Sequence, residues 1–425
     1  MSHPARFAST RPTLIAAATL MALSPLAHAT NGYFSHGYGV QSQSMAGVGI
    51  ALPLDGLTAA TNPAGTAFVG NRLDVGANLF NPSRGADIQN NVAGLNGHYS
   101  ADGRDLFLIP ELGYTRQINK QLSLGLALYG NGGMNTSYDK SPFANFGVQG
   151  RTEMNLEQLF ITPSAAWKLD AHHVIGAAVN VAYQRFSMKG IVPFAGVSSS
   201  PNDTTDRGTD SSVGAGVRLG WIGDIAPGWR AGATWSSAIN GQFDKYKGLF
   251  AEQGSFDIPA NYGLGLAWQP TNQWTLALDY QVIELSGTKS VSNSVTQLQQ
   301  GNLLGSSNGP GFGWKDVTVY KLGVAHQWSD ALTLRAGYSH ASQPIPSSET
   351  LFNILAPGVV QDHVTLGFTW KADQHGEWSA YFGHAFKKTV NGQGAIPGGP
   401  GGFGGGDASI HLKENMLGVA YGWKF

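Results

Sequence analysis

Leu417-Gly418-Val419-Ala420-Tyr421-Gly422-Trp423-Lys424-Phe425 decides how this chain is read. Every second residue is large and apolar, and every residue between is small or polar. A strand over this stretch therefore has one greasy face and one thin, polar one. An amphipathic helix would instead space its apolar positions three and four apart. The same test passes upstream. Trp274, Leu276, Leu278, Tyr280 and Val282 alternate with Thr275, Ala277, Asp279 and Gln281. Val364, Leu366, Phe368 and Trp370 alternate with Thr365, Gly367, Thr369 and Lys371, and Ile175, Val179, Val181 and Tyr183 lie on one face against Gly176, Asn180 and Gln184. About ten residues of such alternation is the length of a strand crossing a bilayer at a tilt, with lipid on one side and a lumen on the other.

Fourteen segments qualify: 73–81, 106–118, 122–129, 154–169, 173–186, 212–224, 229–243, 256–268, 273–285, 315–328, 332–341, 361–371, 377–387 and 411–425. Short turns such as 119–120, 170–171 and 329–330 alternate along the chain with long links such as 132–153, 286–314 and 388–410. That alternation fits an outer-membrane barrel with short periplasmic turns and long extracellular loops. Hydrocarbon offers no partner for an open sheet edge, so the sheet must close. Trp167, Trp221, Trp268, Trp328, Trp370 and Trp423 stand near strand ends, where an interfacial girdle belongs, and Phe425 is aromatic at the terminus. The expected fold is all-β, a fourteen-stranded antiparallel transmembrane barrel in the bacterial outer membrane.

Composition agrees. Only 12% of residues are charged, against about a quarter in a soluble domain, and 58 are glycine. With no cysteine there is neither a disulfide framework nor a thiolate metal site. At the N-terminus Arg6 and Arg11, the apolar run 14–23 and Ala27-His28-Ala29 read as a secretory leader over 1–29, cleaved before Thr30. Losing Arg6 and Arg11 takes the 26 basic side chains to 24 against 27 acidic ones, too weak and dispersed a charge for nucleic acid. Residues 31–65 lack the alternation of the rest and carry small residues in series, among them Gly37, Gly39, Ser42, Ser44, Gly47 and Gly49. We read 30–70 as a compact plug in the lumen and 71–425 as the wall, since fourteen strands enclose more space than wall side chains fill.

With plug, strands and terminal phenylalanine in place, the chain resembles the FadL family of outer-membrane transport proteins for hydrophobic compounds. The likeness is carried by Asn62-Pro63-Ala64 at the end of the plug, by Gly311-Phe312-Gly313-Trp314-Lys315-Asp316 with the strand after it, by Ser342-Gln343-Pro344-Ile345-Pro346, and by the aromatic terminus. The resemblance implies a plugged barrel in which a hydrophobic substrate enters an apolar groove between loops, reaches an interior pocket and leaves sideways where the third strand is kinked. It implies passive uptake, with long-chain fatty acids as the leading cargo and aromatic or other hydrocarbons as the alternative. Gly130, Gly132 and Gly133, after the third strand, then mark the lateral gap, and Asn62, Pro63 and Ala64 a gate beside it.

The apolar loop residues Ile191, Val192, Pro193, Phe194, Val197, Leu249 and Phe250 are candidates for an exposed entrance patch. A fatty-acid carboxylate needs a cation on the lumen side, for which the resemblance favours Lys315, with Arg185 or Lys189 as companion. Partners are otherwise outer-membrane lipid and lipopolysaccharide, and the protein is expected to be a monomer. No cofactor or metal site is expected, and His172-His173 reads as a solvated turn. Gly337-Tyr338-Ser339-His340-Ala341 has the spacing of a hydrolase elbow but sits at a strand end with no helix to follow, so an enzyme is not expected. A plugged barrel with a structural or adhesive surface role is the rival from another class.

Overall fold

The computed structural model describes residues 31–399 and 402–425, so the expected leader and Thr30 lie outside the described residues. Its strands are β1 (Arg72–Gln89), β2 (Gly97–Ser100), β3 (Phe107–Gln117), β4 (Leu122–Tyr138), β5 (Thr152–Lys168), β6 (His173–Lys189), β7 (Asp210–Ala226), β8 (Trp229–Ser236), β9 (Asn261–Trp268), β10 (Trp274–Ile283), β11 (Val317–Gln327), β12 (Leu332–Ala341), β13 (Asp362–Lys371), β14 (Gly376–Gly392) and β15 (Asp407–Lys424). They form one antiparallel sheet that closes on itself, because β15 returns to β1 from Arg72↔Lys424 to Gln89↔Asp407. The short β2 pairs only with Gly85–Ile88 of β1, beyond the end of β3, so fourteen strands make the ring.

The alternation that predicted the strands also orients them. On β15 Leu417, Val419, Tyr421 and Trp423 are exposed, while Gly418, Ala420 and Gly422 face inward and are buried. Asparagine or aspartate opens several of the short turns. Asn119 Oδ1 accepts from the Gln121 and Leu122 N–H groups at 2.9 and 2.8 Å, and Asp170 Oδ1 from those of His172 and His173 at 2.7 Å each. An Asx side chain satisfies turn donors that neither strand reaches. All the long links lie at the opposite end of the barrel.

Most boundaries shift by a few residues from the sequence reading, and four of the shifts have a plain physical reason. Strand β1 runs to Gln89 rather than 81, and its last turn of pairing takes in β2. Strand β4 does not stop at Tyr129 but continues through the glycines to Tyr138, with a bulge between Gly130 and Gly132 against β5. The regular ladder of β8 and β9 ends at Ser236 and Asn261, and only isolated bridges at Ile239↔Ile258 and Gln242↔Ser255 carry the pairing on toward 243 and 256. Beyond the regular ladder Phe243 and Phe256 are fully buried among loop aromatics while their N–H groups still donate across to the Gly254 and Gly241 carbonyls at 2.9 Å each. Short helices decorate the interior and loops, among them α1 (Val40–Gln43) and a 3-10 turn at Pro63–Ala67. Among the described residues no helix is long and apolar enough to cross a membrane.

Candidate functional site

Residues 31–66 are almost all buried, yet they form little regular structure that could pair their own backbone groups. The wall does it for them. Asp279 on β10 accepts from the Gly49 and Ile50 N–H groups at 2.8 and 3.1 Å, and Lys321 Nζ on β11 donates to the His36 and Gly47 carbonyls at 2.9 and 3.3 Å. Asp74 on β1 takes the Gly56 N–H at 2.8 Å, Glu111 on β3 the Val40 N–H at 3.0 Å, and Thr365 on β13 the Ala46 N–H at 2.8 Å. Gln41 bridges Glu377 on β14 (2.9 Å) and Arg335 on β12 (3.0 Å). A segment bonded to strands all round a ring whose outer face is apolar and exposed lies inside that ring. Inward-facing charges that would be costly in a dry lumen are here the partners of otherwise orphaned peptide groups.

Asn62, Pro63 and Ala64 are the tightest of these anchors. Asn62 is fully buried, and its Nδ2 donates to the Ile50 carbonyl (2.8 Å) and reaches those of Trp221 and Ala233 (3.1 and 3.3 Å), a cross-strand pair on β7 and β8. Its Oδ1 caps the 3-10 turn by accepting from the Ala64 N–H at 3.1 Å, and Pro63 sits at the first position, where no N–H is needed. The approach is so close that a Cβ at Gly220 would stand 1.9 Å from Asn62 Oδ1. This turn is therefore seated against β5, β6 and β7, with Asn62 reaching β8, and its Thr66 meets β4 at Gly125, five residues before the glycines at 130, 132 and 133.

What borders those glycines is the very start of the described chain. The β3–β4 pairing runs only from Gln117↔Ser123 to Leu112↔Leu128 and then ends. Pro110, just beyond the last pair, has no N–H to donate, and the bulge turns Asn131 out of the ladder with β5. Farther along, the chain before β3 reaches β4: Asp102 bridges Ser137, whose N–H donates to the Ala101 carbonyl at 3.0 Å and whose carbonyl accepts from the Gly103 N–H at 2.9 Å. Between these points the edge of β4 is open, and residues 31–35 pair with it. Phe34 bridges Gly132, the Ser35 N–H donates to the Asn131 carbonyl at 2.9 Å, and the Gly133 N–H donates to the Tyr33 carbonyl at 2.9 Å. Glycine is required at 132, since a Cβ there would lie 2.0 Å from the Tyr33 oxygen.

At the loop end, Phe194 and Phe250 do not form an exposed patch. They are 2% and 3% exposed and face a narrow cavity of about 30 Å³, shared with Ile191, Leu304, Phe312 and Phe352. None of the residues lining it is charged. From this cavity a file of aromatic rings leads inward. Phe312 lies 6.2 Å from Trp314, Trp314 lies 6.0 Å from Tyr33, and Tyr33 lies 5.3 Å from Phe34 at the β4 edge. All four belong to one contiguous cluster of buried apolar side chains that also contains Phe194, Phe250, Tyr129 and Met134.

The cations expected on the lumen side are elsewhere. Arg185 and Lys189 share the outward register of β6 with Ile175, Val179 and Tyr183, and they pair across the strand with Glu157 (3.4 Å) and Glu153 (3.0 Å). Lys315 is exposed just before β11, and its backbone N–H donates to the Pro344 carbonyl at 2.8 Å. Parity already separated Arg185 from the lumen, because it falls on the face of Tyr183 and not of Gln184. Sequence reasoning missed Tyr33 and Phe34, whose position depends on a pairing that no local pattern announces. It quoted Phe312 and Trp314 for their likeness but gave them no role.

A family model described as outer membrane protein transport protein (OMPP1/FadL/TodX) matches residues 26–396. Among solved structures, a FadL homologue from Pseudomonas aeruginosa aligns over 93% of this chain and 100% of its own, at 15% identity and a TM-score of 0.70. The P. putida toluene transporter TodX aligns over 92% and 99% at 19% identity and a TM-score of 0.66. The Ralstonia pickettii toluene transporter TbuX aligns over the same shares at 17% identity and a TM-score of 0.64. A search of curated protein sequences finds no match. At these identities the structures speak for the fold, and the family model for membership. Closed barrel, interior N-terminal segment and family match converge: this chain belongs to the OMPP1/FadL/TodX family of outer-membrane transport proteins.

Proposed function

We propose that the protein is a passive channel through which hydrophobic molecules cross the outer membrane, entering at the loop cavity and leaving sideways between β3 and β4. The aromatic file from Phe312 through Trp314 and Tyr33 to Phe34 is the observation that carries this reading, because it joins the two ends by apolar contact alone. Each methylene of a hydrophobic cargo gains about 0.8 kcal/mol out of water, so an exit into the periplasm would oppose release and an exit into lipid would not. Residues 31–35 cover the exit and act as its gate, whereas Asn62-Pro63-Ala64 holds the rest of the segment against the wall.

The lining of the loop cavity bears on the cargo. A long-chain fatty acid remains within reach of the design, with Lys315 as the cation the resemblance favours. The uncharged lining and the outward register of Arg185 and Lys189 instead favour neutral compounds such as monoaromatic hydrocarbons, the cargo named for TodX and TbuX. Uptake of labelled toluene and labelled oleate by cells lacking their own family member, with and without this protein, tests both. Import of toluene above background supports the neutral reading, and import of oleate that disappears in Lys315→Ala supports the carboxylate one. If neither compound enters faster than in the empty host, the channel reading fails.

A further inference from the structure

Glu414 is an anomaly in the wall. It lies on β15 in the inward register of Leu412 and Met416, is completely buried, and neither carboxyl oxygen has a hydrogen-bond partner among the described residues. Every other inward-facing acid described above is bonded to the interior segment or to a wall cation. Its neighbours in register give nothing, since Ala385 on β14 and Pro82 on β1 stand on either side. A carboxyl group left without donors in a dry interior is costly, so its retention calls for a partner that comes and goes.

The group does not face solid packing. Glu414 lines a second, small cavity of about 20 Å³, room for one oxygen-sized group, together with Phe80, Arg84, Met134, Asn135 and Leu412. Met134 and Asn135 belong to the stretch of β4 that has lost β3, so this cavity lies directly behind the broken seam. Arg84 is the one cation there and is largely spoken for. Its Nε donates to the Asn135 carbonyl (2.6 Å), its Nη1 to the Pro82 carbonyl (3.3 Å), and its Nη2 to the Arg104 carbonyl and Asn135 Oδ1 (2.7 Å each). Four of the five guanidinium N–H groups are thus used, and Nη1 also lies 3.7 Å from the Asp102 carboxylate, so Arg84 is committed elsewhere and Glu414 is the unpartnered carboxyl of this space.

From this arrangement, and resting on the channel reading above, we infer that the cavity behind the seam takes the head group of a hydrophobic molecule that carries a neutral hydroxyl. A hydroxyl both donates and accepts, so it can pair with the Glu414 carboxyl whichever form that carboxyl takes. A hydrocarbon leaves Glu414 orphaned. A carboxylate would have to be buried there as a charge, with Arg84 already paired elsewhere. The site thus ranks alcohols and phenols above the parent hydrocarbon and above the matching acid anion.

Equilibrium dialysis of the detergent-solubilised full-length barrel against protein-free micelles, with labelled toluene, p-cresol and 4-methylbenzoate, tests the ranking on one carbon skeleton. We expect p-cresol to bind about tenfold more tightly than either of the others, the scale of one buried hydrogen bond. Octane, 1-octanol and octanoate repeat the test on an aliphatic body, and a preference for the hydroxyl in either series supports the site while telling which body it serves. Glu414→Leu should bring p-cresol to within about twofold of toluene without weakening toluene, and Glu414→Gln should keep part of the preference. Should Glu414→Leu lose heat-modifiable migration, Met134→Trp, which fills the cavity and leaves Glu414 in place, should cost p-cresol its advantage instead. Binding of toluene and p-cresol within twofold in the wild type, or tightest binding of the acid, overturns the hydroxyl site and leaves the channel standing. Failure of every compound to bind would sink both.

Discussion

Two seams of this barrel meet the same requirement in opposite ways. Between β15 and β1 the ladder is continuous for the full length of both strands, Arg72↔Lys424 through Gln89↔Asp407. Between β3 and β4 it is made only from Leu112↔Leu128 to Gln117↔Ser123, and the remainder of the β4 edge is covered by residues 31–35 and by Asp102. Both satisfy the backbone at membrane depth, as a bilayer demands. The first does so with wall alone and cannot open without unfolding. The second does so with a separate piece of chain held to β4 by a handful of backbone bonds.

The contrast can be broken at several points. Deleting Asn131 removes the bulge that takes β4 away from regular pairing, so β4 should straighten, and uptake of the labelled cargo should fall at least tenfold while heat-modifiable migration persists. Undiminished uptake by that variant would mean the exit is not at this seam. Phe312→Asp places a charge in the aromatic file and should lower uptake severalfold at limiting cargo concentration, whereas Lys315→Ala should leave toluene uptake within about twofold. Lys321→Met leaves the His36 and Gly47 carbonyls without their donor, at a cost of about 1–3 kcal/mol, and should raise the ionic conductance of single channels in planar bilayers. At the continuous seam the response should be of another kind. Val419→Arg on the lipid face should reduce stability by about 2 kcal/mol in urea unfolding from lipid, with uptake unchanged. The smallest effect concerns pH. The backbone N–H groups of His172 and His173 hold the Asp170 carboxylate below its ordinary range, so the turn is supported above that range and loosens only as pH falls through the lowered value. Amide exchange at this turn should therefore show no extra opening between pH 7 and 5.

The wall was legible in the sequence because lipid on one side and lumen on the other impose a period of two on every strand. That period gave all fourteen ring strands, and it would have sorted Arg185 from Gln184 had it been followed to the strand end. It failed where something other than lipid sets the pattern. At Phe243 and Phe256 a loop core continues the apolar series beyond the ladder, and at β2 a short hairpin strand lies outside the ring. The glycines after Tyr129 were visible as an irregularity, but not that the strand survives them, because a bulge changes pairing and leaves composition untouched. Least legible was the path itself. Tyr33 and Phe34 reach β4 through some hundred intervening residues, and only the folded barrel puts Phe312 and Trp314 beside them. Glu414 could have been singled out by register, as an acid among the inward residues Leu412 and Met416, but its lack of partners could not.

The continuous seam has a consequence for assembly. It joins the first long strand to the last, so the ring cannot close until β15 has been delivered, and until then β1 presents a bare edge. Residues 31–66, which precede β1, have by then been made for as long as any part of the wall. They are bonded to strands on every side, and closure would leave them no wide entrance. The order of events is therefore written into the topology: the wall is wrapped around its contents, and β15 is the lid on a parcel already packed.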